Sequence, residues 1–283
     1  YAPFAILPSK DFPQKVGTMH VIVCIKQVPD TTNVRINPKT NTLMREGVES
    51  IVNPFDEYAL ELGLTLKDRL GAKVSVVSMG PPQAQVILRE ALAKGADAAY
   101  LVTDRAFAGS DTLATSYTLA KAIAKIAPHP DLVLFGKQAI DGDTAQVGPG
   151  VSEYLGYPLV TYVQTLEQGT TENALVAQTQ MDDGTCTVEV PLPAVMTVVK
   201  EGVAPRFASL AGSIQARRAD IPFETSATIQ AEKPFTGLDG SPTKVVRIFA
   251  PPVKAGGRKI DATADLDAAL EAILQTLSEK GIA

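Results

Sequence analysis

Along this chain, short continuous apolar runs alternate with stretches in which apolar residues recur every three or four positions. Uninterrupted runs mark strands buried on both faces, and the wider spacing marks helices with one apolar stripe. His20 to Ile25, Val74 to Met79, Ala99 to Val102 and Leu132 to Phe135 are runs of the first kind. Between the first two, Phe55, Ala59, Leu62, Leu66 and Leu70 form a helical stripe. It opens on Asn53 as N-cap with Pro54 at the first helical position and acidic residues following, and it closes at Gly71. Gln83 to Lys94 predicts a second helix ended at Gly95, and a third runs from an N-cap at Ser110 or Asp111 to about Ala127. Strand alternating with helix predicts an α/β fold built on a parallel sheet.

The pattern changes after a helix over Gln146 to Leu155, which Gly156-Tyr157-Pro158 stops. Leu159 to Leu166, Ala174 to Thr179, Thr185 to Val190 and Ala194 to Val199 are strand-like and separated by turn residues, a small β excursion on the edge of the sheet. Residues from about Lys200 to Ile214 read as a loop. Beyond about Gln215 proline and glycine accumulate without long apolar runs, which predicts an extended arm. A final helix carries Leu266, Leu270, Ile273, Leu274 and Leu277 on one stripe, with Asp265 as cap and an end near Gly281. Val34 to Asn37 and Thr42 to Arg45, joined by Pro38 to Asn41, predict a small hairpin. Residues 1–18 fit neither a secretory signal nor a transit peptide and are read as a leader or tag, with Met19 as the native start. The expected division is 1–18 leader, 19–214 nucleotide-binding α/β domain, and 215–283 C-terminal arm with its helix.

The stretch from Leu132 to Gly150 passes from an apolar strand into glycines, carboxylates and amides before a helix begins. In an open α/β sheet, ligands bind beyond the carboxyl ends of the strands, where helix N-termini offer free N–H groups to an anion. A nucleotide phosphate suits that place. Gly136 and Gly142 would let backbone approach it closely, and Gln138, Asp141, Asp143 and Thr144 supply polar groups. From spacing alone, an ordinary polar loop explains these residues equally well.

Composition narrows the chemistry. A net charge of −5 over 283 residues, with basic residues scattered, argues against a nucleic-acid footprint. No apolar stretch is long enough to span a bilayer, so no membrane insertion is expected. The two cysteines, Cys24 and Cys186, have neither metal nor redox spacing and read as packing residues, and two histidines, His20 and His129, leave little for a metal site or a triad. No G-x-G-x-x-G follows a strand, and no Walker loop, G-x-S-x-G or H-E-x-x-H occurs. The residues thus describe a nucleotide-binding α/β domain with an arm, and no catalytic constellation.

From Met19 to about Asp261 the sequence closely resembles the β, or small, subunit of electron-transfer flavoproteins. The resemblance rests on V-x-V-C-I-K-Q-V-P-D at 21–30, N-P-F-D-E-Y-A-L-E at 53–61, V-S-M-G-P at 77–81, D-L-V-L-F-G-K-Q-A-I-D-G-D-T-A-Q-V-G at 131–148, L-P-A-V-M-T at 192–197 and P-R-F-A-S-L at 205–210. It implies an adenine-nucleotide-alpha-hydrolase-like fold with a five-stranded parallel core. It further implies that a nucleotide is held by Cys24, by Asn53, Pro54, Phe55 and Asp56, by Met79, and by the loop Gly136, Lys137, Gln138, Ala139, Ile140, Asp141, Gly142, Asp143, Thr144, Ala145, Gln146 and Val147. In many members that nucleotide is a structural AMP. In a subgroup that includes electron-bifurcating proteins it is a second FAD, and that subgroup carries a motif similar to Asp104, Arg105, Phe107, Gly109, Asp111, Thr112, Ala114 and Thr115 of this chain. The resemblance to that subgroup makes Asp104, Asp111, Thr112, Ala114 and Thr115 further FAD-binding candidates.

The function so implied is electron transfer in a cytoplasmic heterodimer of bacterial or archaeal type. NADH is the expected donor, an electron-transfer flavoprotein α subunit the partner, and an acyl-CoA or other flavin dehydrogenase and ferredoxin or flavodoxin the acceptors. The alternative is a non-bifurcating subunit with AMP. One departure bears on the acceptor: in the loop Val198 to Ala204, Gly202 stands by ungapped alignment where members serving acyl-CoA dehydrogenases carry an anchoring leucine. A free-standing nucleotide-binding protein of the same fold would want an S-G-G-x-D-S loop, which does not occur here.

Overall fold

A computed structural model of the chain describes residues 17–30, 35–36, 43–44, 50–171, 173–246 and 259–282. In chain order the strands and helices are β1 (His20–Cys24), β2 (Gln27–Pro29), β3 (Arg35–Ile36), β4 (Leu43–Met44), β5 (Ser50–Val52), α1 (Pro54–Leu70), β6 (Lys73–Met79), α2 (Gln85–Lys94), β7 (Ala98–Val102), α3 (Thr112–Ile126), β8 (Leu132–Gly136) and α4 (Val147–Leu155). They continue with β9 (Leu159–Gln168), β10 (Ala174–Met181), β11 (Gly184–Pro191), β12 (Ala194–Val198), α5 (Leu210–Arg218), β13 (Phe223–Glu224) and α6 (Leu266–Glu279). The expected small hairpin is seen as β3 paired antiparallel with β4; its turn, its outermost residues and residues 1–16 lie outside the described residues.

The main sheet has nine strands in the order β11-β10-β9-β12-β8-β1-β6-β7-β13. The five central strands β12, β8, β1, β6 and β7 are mutually parallel, as the strand and helix alternation predicts. Their continuous apolar runs feed two cores, one on each face of the sheet. Val21, Val23, Leu132, Leu134 and Met196 pack with Leu60, Leu62 and Leu64 of α1 and Ile87 and Leu88 of α2. Ile22, Cys24, Val133, Phe135 and Val195 pack with Leu119, Ala122 and Ile123 of α3 and Val151 of α4. A strand covered by helices on both sides has no polar face, which is why these segments read as unbroken apolar runs. The predicted β excursion joins the same sheet: β9 lies parallel beside β12, and β10 and β11 continue it antiparallel.

Helix ends follow the sequence signals at several points. Gly71 ends α1 with φ 70°, Asp111 caps α3 by accepting from the N–H groups of Leu113 and Ala114, and Asp265 caps α6 by accepting from Ala268. The segment from Lys200 to Ile214 is not a loop throughout, because α5 begins at Leu210 with Ser209 as its cap. Its sequence, with Gly212, Ser213 and a weak apolar period, gives little local reason for a helix. Tertiary packing supplies it: a side chain at Gly212 would overlap the carbonyl of Ala93 in α2, and Arg89 donates to the Ala216 and Ala219 carbonyls at 2.6 and 3.1 Å.

The chain divides into two compact units, one holding the elements through β13 and the other holding α6. On α6 the side chains of Leu266, Leu270, Ile273 and Leu274 are exposed. Within the first unit, Glu61 on α1 is buried and receives the Arg206 side chain through Nε at 3.0 Å and Nη2 at 2.8 Å, together with the Arg206 backbone N–H at 2.9 Å. Arg206 also reaches Asp68 at 2.7 Å. This fork fastens the segment between β12 and α5 to the first helix. Arg206→Leu leaves the Glu61 carboxylate buried without its fork and is expected to cost roughly 2 to 3 kcal/mol, measurable by chemical denaturation, whereas Arg206→Lys should recover only part of that loss.

Candidate functional site

The chain leaves β1 toward β6 and β7 on one side, then returns through α3 to place β8 on the other side of β1. A crevice therefore opens beyond the carboxyl ends of β1 and β8, at the topological switch point. Asp56, in the first turn of α1, sits at its base. One carboxylate oxygen accepts from the Lys26 N–H at 2.7 Å, just beyond β1, and the other from the Gly136 N–H at 3.1 Å, at the end of β8. Gly136 has to be glycine for a reason internal to the protein, since a Cβ there would overlap the Asp56 carboxylate and lie 2.7 Å from its backbone nitrogen. The expectation that Gly136 clears space for a ligand is therefore corrected: α1 takes that space. Gly142 has open space around its Cβ position.

Asn53 also differs from expectation. Its side chain makes no capping bond; it donates to the Gln138 carbonyl at 2.8 Å and accepts from the Ile140 N–H at 3.1 Å. An N-cap residue type at a helix start can satisfy the helix or a neighbouring strand-end loop. Here Asn53 is 1% exposed beneath the loop 136–146 and satisfies two of its part-buried backbone groups. That loop is braced further by the Lys137 N–H to the Val198 carbonyl at 2.7 Å, by Lys26 paired with Asp141 at 2.6 Å, and by a hydrogen bond from Gln138 to Asp143. Asp143 and Ala145 hold left-handed φ of 53° and 54°, a conformation that non-glycine residues keep only where surrounding contacts impose it. Thr112 at the start of α3 donates to Gln146 at 2.8 Å and ties the two helix starts together.

These elements enclose a cavity of about 980 Å³, near the top of the range of roughly 300 to 1,000 Å³ usual for small-molecule sites. Of the candidates, Cys24, Asn53, Asp56, Met79, Asp104, Asp111, Thr112, Thr115, Gly136, Lys137, Gln138, Ala139, Gly142, Thr144, Ala145, Gln146 and Val147 line it. Pro54, Phe55, Ala114, Ile140, Asp141 and Asp143 do not, and each has another occupation where one is seen. Phe55 lies under the Lys200 ammonium at 4.6 Å, Ala114 is buried in α3, Ile140 is held by Asn53, Asp141 by Lys26, and Asp143 by Gln138. Sequence reasoning missed Lys26, the turn Gly80 to Pro82 after β6, Ser110, Phe135 and Phe223. Lys26 stands in the quoted 21–30 motif and was within reach. Phe223 was not, because only the pairing of β13 with β7, Phe223 beside Leu101, brings it to the cavity.

The cavity's charges are distinct. Arg105 is exposed on its lining and makes no ion pair among the described residues, and the Lys137 ammonium lies 4.9 Å from the Tyr162 ring centroid. Gln146 gives α4 no side-chain cap, and the first residues of that helix, Val147 and Gly148, line the cavity. Burial, and then the charge of Asp56, push the Cys24 thiol well above the ordinary range, so it stays protonated and inert. Burial pushes Asp56 up to about 7, against the opposing effect of Asn53, the two N–H donors and Lys26. Gly202 stands where a Cβ would overlap the Gln164 carbonyl of β9.

Two outcomes follow from this geometry. The folded-state pKa of Asp56 lies above its unfolded value, so the protonated form favours folding: its contribution is complete below about pH 4 and is lost as pH rises to about 7. The unfolding free energy of the protein minus that of Asp56→Asn should accordingly fall across that window and level off above it, in denaturant titrations at a series of pH values. Asn53→Leu, which strips the loop of two hydrogen-bonding partners, should cost roughly 1 to 3 kcal/mol, as read by chemical denaturation.

Residues 40–227 match the model of the electron transfer flavoprotein domain. An electron transfer flavoprotein subunit beta from Megasphaera elsdenii is 44% identical over 272 residues, covering 94% of this chain and 98% of that one. The caffeyl-CoA reductase-Etf complex subunit CarD of Acetobacterium woodii is 48% identical over 265 residues, covering 93% and 100%. Protein FixA of Azotobacter vinelandii is 44% identical over 254 residues, covering 88% and 90%. With the domain model matching more than half of the chain and relatives aligned almost end to end, the chain belongs to the electron transfer flavoprotein family, as a member of the β-subunit type.

Proposed function

We propose that the chain binds FAD in the switch-point cavity and works as the β subunit of a heterodimer, passing electrons from NADH by flavin-based bifurcation. One branch would run through the FAD of an α subunit toward a flavin dehydrogenase, and the other toward ferredoxin or flavodoxin, in the cytoplasm of a bacterium or archaeon. Among the described residues no helix is long and apolar enough to cross a membrane, and no cluster of His, Cys, Asp or Glu is suited to a metal ion. The observation that carries the FAD reading is the extent of the cavity. It does not end at the β1 and β8 crevice, where a mononucleotide would fit, but continues past Met79, Pro81 and Pro82 to Arg105, Phe107 and Phe223 at the end of β7.

The residues fit such a guest. The crevice half has polar backbone and amide groups from the loop 136–146, and the far half has apolar walls from Val102, Phe107, Pro81 and Phe223 with Arg105 at its rim. A flavin, when bound, supplies the conversion between two-electron and one-electron chemistry, so this chain need only bind it, orient it and shape its surroundings. The relative from Acetobacterium woodii, named as a subunit of a caffeyl-CoA reductase-Etf complex, supports a dehydrogenase-type partner. The reading with AMP in place of FAD fills only the crevice half.

The exposed stripe of α6 supports pairing, since a lone amphipathic helix leaves its apolar face in water. Counting flavins in the heterodimer by visible absorption tests the proposal: two per heterodimer are expected, and one flavin with one AMP overturns it. Thr112→Leu with Thr115→Leu should then lower flavin content toward one and slow NADH oxidation, and an unchanged count of two would detach this helix start from the cofactor.

A further inference from the structure

The loop from β7 to α3, residues 103–111, is gripped from outside by the segment 223–243. One Asp104 carboxylate oxygen accepts from the backbone N–H and hydroxyl of Ser226 at 3.0 and 2.6 Å, and the other accepts from Ala106 N–H within the loop at 3.0 Å. Asp111 repeats the arrangement. One oxygen caps α3, and the other accepts from the N–H and hydroxyl of Thr243 at 3.0 and 2.8 Å, while its own N–H donates to Ser241 at 2.8 Å. Between these two clasps, Gly237 N–H donates to Ser110 at 3.2 Å. A Cβ on Gly109 would lie 2.6 Å from Leu238, and one on Gly237 would overlap the Ala106 carbonyl, so the two segments meet backbone to backbone with φ of 76° and 56° at those glycines.

Each carboxylate thus spends one oxygen on its own loop and the other on the outer segment. Hydrogen bonding to these groups holds both carboxyls below the usual carboxylate range, burial opposing it at each. Ser226, Leu238 and Thr243 do not line the cavity, whereas every residue of the gripped loop except Ala106, the two carboxylates included, and Phe223 on the gripping segment do. The gripped loop follows β7 at one end of the cavity; α1, β1, β8 and the loop 136–146 build the other, and the two ends meet where Thr112 donates to Gln146.

We propose that Asp104 and Asp111 are positioning residues which, through Ser226 and Thr243, fix the far half of the cavity and so select FAD over AMP without contacting the crevice half. Within this motif Asp104, Gly109 and Asp111 lie on the lining and also hold the outer segment, while Arg105, Phe107, Thr112 and Thr115 lie on the lining alone. The inference rests on the reading of the cavity as an FAD site. It predicts an uncoupling that general destabilisation would not produce, because loosening one half of a divided cavity weakens only the ligand that needs both halves.

The test is titration of the nucleotide-depleted heterodimer with FAD, followed by flavin fluorescence, and with AMP, followed by calorimetry. In Ser226→Ala with Thr243→Val, FAD affinity should fall by about tenfold or more while AMP affinity stays within about twofold of the parent. Ser226→Thr, which retains the hydroxyl, should restore most of the FAD affinity in the presence of wild-type Thr243. If the double variant does not fold, as AMP binding reports, the two single variants carry the same comparison. FAD affinity equal to the parent's, or AMP affinity falling in step with it, overturns the inference. A parent heterodimer that takes AMP but no FAD in this chain overturns the reading beneath it, and the inference with it.

Discussion

The structure turns on one buried carboxylate. Beyond the carboxyl ends of β1 and β8 at the switch point, the N–H groups of Lys26 and Gly136 each need an acceptor. Asp56 provides both, from the first turn of α1, where the positive end of the helix favours a negative charge. Much of the neighbouring sequence follows from that position. Pro54 starts the helix, Gly136 must lack a side chain, and Asn53 is carried beneath the loop it braces. Burial raises the carboxyl toward neutrality, and the donors limit the rise. A crevice held open in this way is ready for a ligand before one arrives.

How far the sequence shows this depends on which force sets each feature. The central strands and α1 to α4 are legible because burial on two faces, or on one stripe, imposes a period on the residues themselves. Gly71, Asp111 and Asp265 are legible because capping is local. Neither α5 nor β13 has such a signature: the first is held by Arg89 and by close backbone contact at Gly212, and the second is two residues added to the edge of β7. Both depend on partners more than a hundred residues away, so no window of sequence contains the cause.

The site divides in the same manner. Residue types mark the loops at strand ends as polar and glycine-rich, and the structure gathers most of the named positions around one cavity. What residue types do not reveal is the direction in which each group is used. Asn53 has the type of an N-cap and braces a loop; Asp104 and Asp111 have the type of ligand groups and hold another segment of chain; Asp141 meets Lys26. A short polar side chain satisfies whichever donor the tertiary structure brings within reach, and that choice is made by residues remote in sequence.

The same accounting explains why a chain in electron transfer carries so little side-chain chemistry near its cavity. His20 starts β1, with its N–H on Asp131 and its ring 2.9 Å from Ser75, at the end of the sheet opposite the crevice, and His129 precedes β8 at that same end. Cys24 lies on the lining but is held as a thiol by burial. Of the charged lining groups, Lys26 is pinned by Asp141, Asp56 by two backbone donors, and Asp104 and Asp111 by their clasps, which leaves the Arg105 guanidinium and the Lys137 ammonium beside the Tyr162 ring as the cations able to meet an anion among the described residues. A cofactor that performs its own redox chemistry gains from walls that do not reorganise, because each fixed dipole then acts without first having to turn. In such a protein the informative residues are those that fix the walls, and many of them never touch what the walls enclose.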